Sequence, residues 1–352
     1  MRCTRSPERP PLSSQPWTPP LVDISRLVHR SGREEHAAWQ AAGAAIGDAC
    51  ERYGFFYVTG HGVSAELAEA VEGHSRAFFA LAHEEKMRIR MALGGRAWRG
   101  FFPVGDELTS GRPDQKEGIY FGAEQGEDHP DVLARRPLCG ANLFPERPAQ
   151  LRPLVLEYME EMTRLGHLLM RAVAMSLALE PDYFDAYYTR DPTTLFRIFH
   201  YPGLGPSGDA TLWSVGEHTD YGLLTILKQD RVGGLQIRTG DSWIEAAPIE
   251  GTFICNIGDM LDALTLGRYR STPHRVVNRS THSRLSLAFF FDPAMSARIR
   301  PLPTQASRTT SPDNDVATRW DGRSPYELSG TYGDYLLDKV SRVFPDLSRR
   351  VD

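Results

Sequence analysis

Apolar residues recur at helical spacing through much of the first half of the chain and at strand spacing through the second. Between Glu34 and Tyr53 they fall at Ala38, Ala42, Ala45, Ile46 and Ala49, a stripe of period 3.6 built from the best helix former. Gly54 is a stop signal, and Phe55-Phe56-Tyr57-Val58 follows as a strand closed by the turn Gly60-His61-Gly62. Ser64 is suited to cap a second helix running to about Ala82, with Glu66 and Glu69 near its positive end. The longest helical pattern covers 150–179, where Leu151, Leu154, Met159, Met162, Leu165, Leu169, Val173 and Leu177 share a side. Its methionines are read as core packing. Leu21 to Ile24 and Lys116 to Phe121 predict short strands. The stretches 94–114 and 122–149 show no period and predict loops; Trp98, Phe101 and Phe102 in the first either line a pocket or plug the core.

Past Pro181 the pattern changes. Short β-rich runs at 195–201, 222–229, 234–238, 242–246, 252–257, 274–278 and 284–292 alternate with Gly, Asn and Asp turns, the signature of a sandwich or barrel. Tyr332 to Phe344 predicts a last amphipathic helix. Residues 1–19, rich in Pro, Ser and Arg, read as a disordered leader. The organisation expected is therefore leader 1–19, an N-terminal region of helices and strands 20–145, a supporting helix with the β core 146–303, and a surface loop with a helix 304–352.

Composition narrows the partners. The 352 residues are 41% hydrophobic and 24% charged, with a net charge of -5 and no basic face. Nucleic acid is not an expected partner, and no apolar run approaches the ~20 residues that span a bilayer. The cysteines Cys3, Cys50, Cys139 and Cys255 are scattered without a CxxC pair, which fits reduced thiols and a cytoplasmic location. A small-molecule substrate is the expectation; the oligomeric state stays open, with a monomer compatible with the sequence.

The candidate chemistry centres on His218-Thr219-Asp220. In an extended strand this spacing puts both ligands on one face. A distant third ligand such as His274, behind Pro273, would complete two imidazoles and a carboxylate with open positions, a set suited to non-haem Fe(II). His61 sits in a turn where metal ligands occur, but a structural histidine is the reading adopted. Farther on, Arg284, Ser286 and Ala288 point one way along a strand and Leu285, Leu287 and Phe289 the other. An inward Arg and Ser need a partner, and a bound carboxylate supplies one.

These residues, with Ala49–Gly62, Asp114–Gly118, Gly234-Leu235-Gln236, Asn256–Met260 and Ser271–Val276, carry a resemblance that covers roughly 20–300 and the last helix. The chain resembles the Fe(II)/2-oxoglutarate dioxygenase superfamily, in its isopenicillin N synthase-like branch. The resemblance implies an α+β protein with a double-stranded β-helix (jelly roll) core and flanking helices. It implies iron bound by His218, Asp220 and His274, and the far carboxylate of 2-oxoglutarate held by Arg284, Ser286 and Tyr201. O2 would be the oxidant, and the reaction a hydroxylation, desaturation or cyclisation of a small molecule that releases succinate and CO2. Phe199-His200-Tyr201-Pro202 replaces the Asn-Tyr-Tyr-Pro of plant members, leaving a role for His200 open. The retained Asp220 argues against halogenation. An oxidase that uses no 2-oxoglutarate, and a binding protein that keeps the fold without catalysis, stay as alternatives. Phe101, Tyr120, Tyr221 and Phe291 are candidate pocket residues, each with core packing as its alternative.

Overall fold

The computed structural model of the protein describes residues 18–28, 35–109, 111–204, 214–303, 326 and 329–343. The expected leader falls almost entirely outside these residues, as do the expected 304–325 loop, Cys3 and Phe344. A large mixed sheet forms the spine. Its order is β1 (Leu21–Asp23), β2 (Phe55–Thr59), β12 (Phe253–Ile257), β9 (Leu224–Gln229), β14 (Arg284–Asp292), β7 (Thr193–Tyr201), β6 (Glu117–Gly122) and β3 (Gly100–Phe102). Only β1 and β2 pair in parallel. A smaller antiparallel sheet runs β11 (Ser242–Glu245), β10 (Leu235–Thr239), β13 (His274–Val276) and β8 (Val215–His218). A two-residue ladder, β4 (Leu108–Thr109) with β5 (Arg112–Pro113), stands apart. Strands from the first 122 residues thus extend both edges of a sheet whose centre comes from the second half.

The long helix Leu151–Ser176 buries Leu151, Val155, Met159, Met162, Leu165, Leu169 and Val173, the stripe its sequence carries. It lies along β14 and β9. Gly166 makes the close approach possible, because a Cβ there would sit 2.4 Å from the ring of Phe291. The helix Glu35–Arg52 packs against the C-terminal part of the long helix, with Gly43 beside Ala172 and Gly47 beside Ser176, and Ser64 caps the helix Ala65–Phe79 by accepting a hydrogen bond from Leu67 N.

Several expectations need correction. The 94–114 stretch is not one loop: it holds a 3-10 turn, β3 and the β4–β5 ladder, and Trp98, Phe101 and Phe102 are all buried in the main core. The 122–149 stretch contains the short helix Pro130–Leu133. The helix Asp259–Leu264 was not visible as a pattern because it is under two turns long and all six of its residues are buried, Asp259 and Asp262 included, so its polar positions do not mark a solvent face. The described cysteines Cys50, Cys139 and Cys255 are free thiols. No helix among the described residues is long and apolar enough to cross a membrane.

Candidate metal and cosubstrate site

His218 is the last residue of β8 and pairs across the small sheet with His274 at the start of β13. Their rings lie 4.3 Å apart, centre to centre. Asp220 is not in the strand; it lies just beyond, in the turn that leads to β9. The turn brings Asp220 Oδ1 to 4.0 Å from His218 Nε2 and 3.8 Å from His274 Nε2. Among the described residues this is the cluster whose three ligand atoms can hold a metal, all within 4.8 Å of one another.

Hydrogen bonds fix which atoms face inward. Nδ1 of His218 meets Gly216 O at 2.9 Å, and Nδ1 of His274 meets Thr272 O at 3.2 Å. A carbonyl only accepts, so each Nδ1 carries a proton and each Nε2 is the ring nitrogen left to ligate a metal. Burial, and then the neighbouring His274, hold the pKa of His218 down at about 4, so its ring is neutral near pH 7. Asp220 uses Oδ2 to accept from Thr225 Oγ1 at 2.5 Å and from Asn256 Nδ2 at 2.7 Å. Burial pushes its carboxyl up, but the two histidines and these donors outweigh burial and leave it below the ordinary value. The turn itself is clamped where Asp259 N donates to Asp220 O at 2.7 Å, at the head of the short helix. The result is two imidazole Nε2 atoms and one carboxylate oxygen turned towards one another, a set that fits a divalent iron with positions to spare.

Arg284 opens β14 directly opposite Tyr201, the last residue of β7. Its side chain is fully buried. Nε donates to Gly233 O at 2.6 Å, while Nη1 and Nη2 have no hydrogen-bond partner among the described residues. The guanidinium lies 4.7 Å from the centre of the Tyr201 ring. Ser286, two residues on, lines the same cavity. Two buried donors on a fixed cation are costly unless an anion takes both, and a carboxylate does so bidentately. The donor set therefore fits a dicarboxylate with one end near Arg284.

The cavity measures about 290 Å³ and draws on both sheets, the β4 segment and the C-terminal helix Tyr332–Val343. All six metal and cosubstrate candidates, His218, Asp220, His274, Arg284, Ser286 and Tyr201, line it, and so does Tyr221. Tyr120 does not; it stands behind the wall, donating to Glu107. Phe101 packs on Phe78, and Phe291 on His167 of the long helix. The period-two parity explains the error with Phe291: Arg284, Ser286, Ala288 and Phe290 share the cavity face, so Phe290 is the lining residue. By the same parity His200 points away from the cavity, to Glu117 Oε1 at 2.9 Å and flat on Phe79. His61 is structural, its Nδ1 accepting from Val63 N.

Sequence reading missed Thr225 and Asn256, which orient Asp220, and the buried charges that line the far wall. Lys116 is buried with its ammonium 2.8 Å from Glu107 and also against Asp114. Burial lowers the pKa of Lys116, but the two carboxylates outweigh it and hold it above the usual value. Arg197 faces the cavity from β7. The signal for Arg197 was available: it shares parity with Tyr201 in a strand that is otherwise apolar on that face.

Antiparallel sheets around a His-Asp-His cluster, with a buried arginine across the cavity, define a class of non-haem iron oxygenase. The chain belongs to that class by comparison as well. Residues 19–147 match the family model of the non-haem dioxygenase in morphine synthesis N-terminal region, and residues 192–293 match that of the 2OG-Fe(II) oxygenase superfamily. The protein is a member of the 2OG-Fe(II) oxygenase superfamily. It is 45% identical to a probable iron/ascorbate oxidoreductase of Dictyostelium discoideum, over 94% of this chain and 96% of that one. It is 36% identical to a homoarginine-6-hydroxylase of Oryza sativa subsp. japonica, over 92% and 97%. A solved structure of a full-length Neurospora crassa protein in complex with alpha-KG and thymine superposes with a TM-score of 0.75 at 25% identity, covering 94% of this chain and 98% of that one. The core is accordingly the jelly roll of these oxygenases, and the protein is an oxidoreductase that uses iron and 2-oxoglutarate.

Proposed function

We propose that His218, Asp220 and His274 hold the iron(II), that Arg284, Ser286 and Tyr201 hold the far carboxylate of 2-oxoglutarate, and that the enzyme hydroxylates a small organic molecule. The observation that carries this reading is Arg284: a fully buried guanidinium with both terminal nitrogens unpartnered among the described residues, in the cavity that also holds the three ligand atoms. Iron(II) with 2-oxoglutarate supplies the oxidising power from O2, releasing succinate and CO2. The chain's own residues do the rest. Gly216 and Thr272 carbonyls accept from Nδ1 and so aim both imidazole Nε2 atoms at the metal position. Thr225 and Asn256 occupy Asp220 Oδ2, so Oδ1 is the oxygen left for the metal. Arg284 and the facing Tyr201 fix the cosubstrate's distal end, which sets the reach of its other end. Leu195, Phe290 and Leu336 give the wall apolar patches that keep water from the bound substrate. A cavity of about 290 Å³ suits a small molecule, and a relative named as a hydroxylase of homoarginine supports both the reaction type and the substrate size.

The test is succinate release with iron(II), 2-oxoglutarate and O2. The wild-type protein should form succinate, and Asp220→Ala or His274→Ala should lower the rate at least a hundredfold. Variants that keep iron-dependent turnover would remove the ligand assignment. Substrate oxidation without succinate would instead give Arg284 to the substrate's own carboxylate.

A further inference from the structure

We propose that the protein binds a single halide ion, chloride in ordinary solution, in a small chamber behind the active-site cavity, held by the indole of Trp98 and the guanidinium of Arg99. The inference goes beyond the iron and cosubstrate reading and does not depend on it. The chamber measures about 20 Å³ and is closed by Met91, Leu138 and Val340. Leu195 and Arg197 line both it and the main cavity. A space of that size takes one particle about as large as a water molecule, which leaves out carboxylates and phosphate.

The polar atoms of the chamber wall ask for an acceptor. Trp98 Nε1, Arg99 Nε and Arg197 Nε are buried and have no hydrogen-bond partner among the described residues. Indole and guanidinium groups only donate. The rest of the Arg99 fork is turned to carbonyls: Nη1 donates to Ala123 O at 2.7 Å and to Gly140 O, and Nη2 to Leu138 O at 2.9 Å. Carbonyls satisfy donors without cancelling a charge. Among the described residues no carboxylate lies within ion-pair distance of Arg99. Glu124, the acid whose field reaches it, is held by Arg152 and Asn142. Burial pulls the pKa of Arg99 down to about 10, the direction expected of a cation enclosed without a counter-ion.

Register sets a second cation beside the first. The Arg99 guanidinium lies against Gly122, where a Cβ would fall 2.7 Å from Nη2 and 2.9 Å from Nε. Gly122 of β6 pairs with Leu195 of β7, and Tyr120 with Arg197. By period two all four face the same way, so Arg99 sits one pleat along from Arg197, about 7 Å. Arg197 has Glu107 and Asp220 within its field; Arg99 has neither.

Ordered water is the simpler occupant. A water molecule accepts from two of the donors but leaves two neighbouring guanidinium charges uncompensated, which is costly in a buried site. A halide accepts from all three and cancels one charge. It also ties the Trp98–Arg99 segment, and through the carbonyls the 138–140 segment, to strand β7, so the folded protein gains stability from it.

The experiment uses the full-length protein loaded with manganese(II) and 2-oxoglutarate, which keeps halide off the metal and away from Arg284. Crystals are soaked in sodium bromide, and anomalous scattering locates the ion. Bromide should appear within hydrogen-bond distance of Trp98 Nε1 and Arg99 Nε. In solution the urea midpoint should rise with sodium chloride but not with sodium gluconate at equal ionic strength, since gluconate is too large for the chamber. Trp98→Phe removes one donor with little change of shape, and the chloride concentration for half the effect should rise about tenfold. Water without anomalous signal in the chamber overturns the proposal. So does bromide confined to other positions, an adventitious ion only. Equal midpoints in the two salts, or an unchanged half-effect in Trp98→Phe, overturn it as well. If Trp98→Phe does not fold, the bromide map and the salt comparison on the wild-type protein decide. A protein that takes up no 2-oxoglutarate counts against the cosubstrate reading alone, because only the position of bromide at Trp98 and Arg99 bears on the halide.

Discussion

At the scale of single residues, the site depends on groups that touch neither iron nor cosubstrate. Thr225 Oγ1 and Asn256 Nδ2 converge on the same oxygen of Asp220. Together they decide which oxygen faces the histidines and hold the carboxylate ionised. Thr225→Val removes one donor with almost no change of shape. It should weaken iron(II) binding about ten- to hundredfold, the usual effect of losing a partner one step behind a ligand. Competition with a chromogenic chelator measures it; an unchanged affinity would mean that Asn256 alone orients Asp220. The ligands themselves were legible from His218-Thr219-Asp220 and Pro273-His274 because metal ligation uses a few residue types at fixed spacing. Thr225 was not legible: a threonine in a β-strand is ordinary, and only the turn of the chain at 219–223 brings it under Asp220.

At the scale of elements, parity and pairing decide what the cavity contains. Strand β14 was read with the correct limits, Arg284 to Asp292, yet Phe291 was placed in the pocket and Phe290 was overlooked. A strand seen from its own sequence shows its two faces but not what lies beyond each. The helix Leu151–Ser176 covers one face, with Gly166 against Phe291, and the cavity occupies the other. The C-terminal helix Tyr332–Val343 was also foreseen as an element, and its function as a wall was not. Its Leu336 and Lys339 line the cavity, and it is pinned where Tyr332 Oη donates to Asp292 Oδ2 at 2.6 Å. Tyr332→Phe leaves that buried oxygen without its donor, a loss of about 1–3 kcal/mol. Denaturant unfolding should show this loss, and amide exchange should accelerate within 332–343 more than in the long helix. Uniform acceleration across both helices would show that the contact stabilises the whole fold and does not dock the helix.

At the scale of the whole molecule, the sheet joins strands from both halves of the chain, and one buried acid in it ties global stability to pH. The division into a helical first half and a β-rich second half was visible in the change of period at Pro181. What periodicity could not give was that β1, β2, β6 and β3 complete the same sheet, since strand partners far apart in the chain leave no local trace. Asp292 closes β14, fully enclosed, with Leu223 N donating to Oδ1 at 3.2 Å. Gly222 is the residue that makes room, as a Cβ there would fall 1.4 Å from the same oxygen. Burial is the main cause that raises the carboxyl to about 7, against the opposing bonds from Tyr332 and Leu223. The folded protein therefore keeps a proton between about pH 4 and 7 that the unfolded chain releases. The contribution of Asp292 is complete below its unfolded value and is lost as pH rises through 7. His61, His167 and His218, held low chiefly by burial, act in the opposite sense over the acid part of that window. The slope for the wild type alone is thus a sum, and comparison with Asp292→Asn isolates the aspartate. The amide is neutral at every pH; its Oδ1 can keep the bond from Leu223 N, while its Nδ2 donates to Tyr332 Oη where the wild-type carboxyl accepts. In metal-free protein, where no dication favours the ionised acid, the two proteins should be similarly stable at about pH 4, where the acid is substantially protonated in the folded and the unfolded chain alike. At about pH 8 the variant should be the more stable, by on the order of 4 kcal/mol from a shift of that size. Urea unfolding at the two pH values measures the difference. A constant gap between variant and wild type would show that Asp292 is ionised throughout, and that water or a neighbouring cation reaches it in the folded protein.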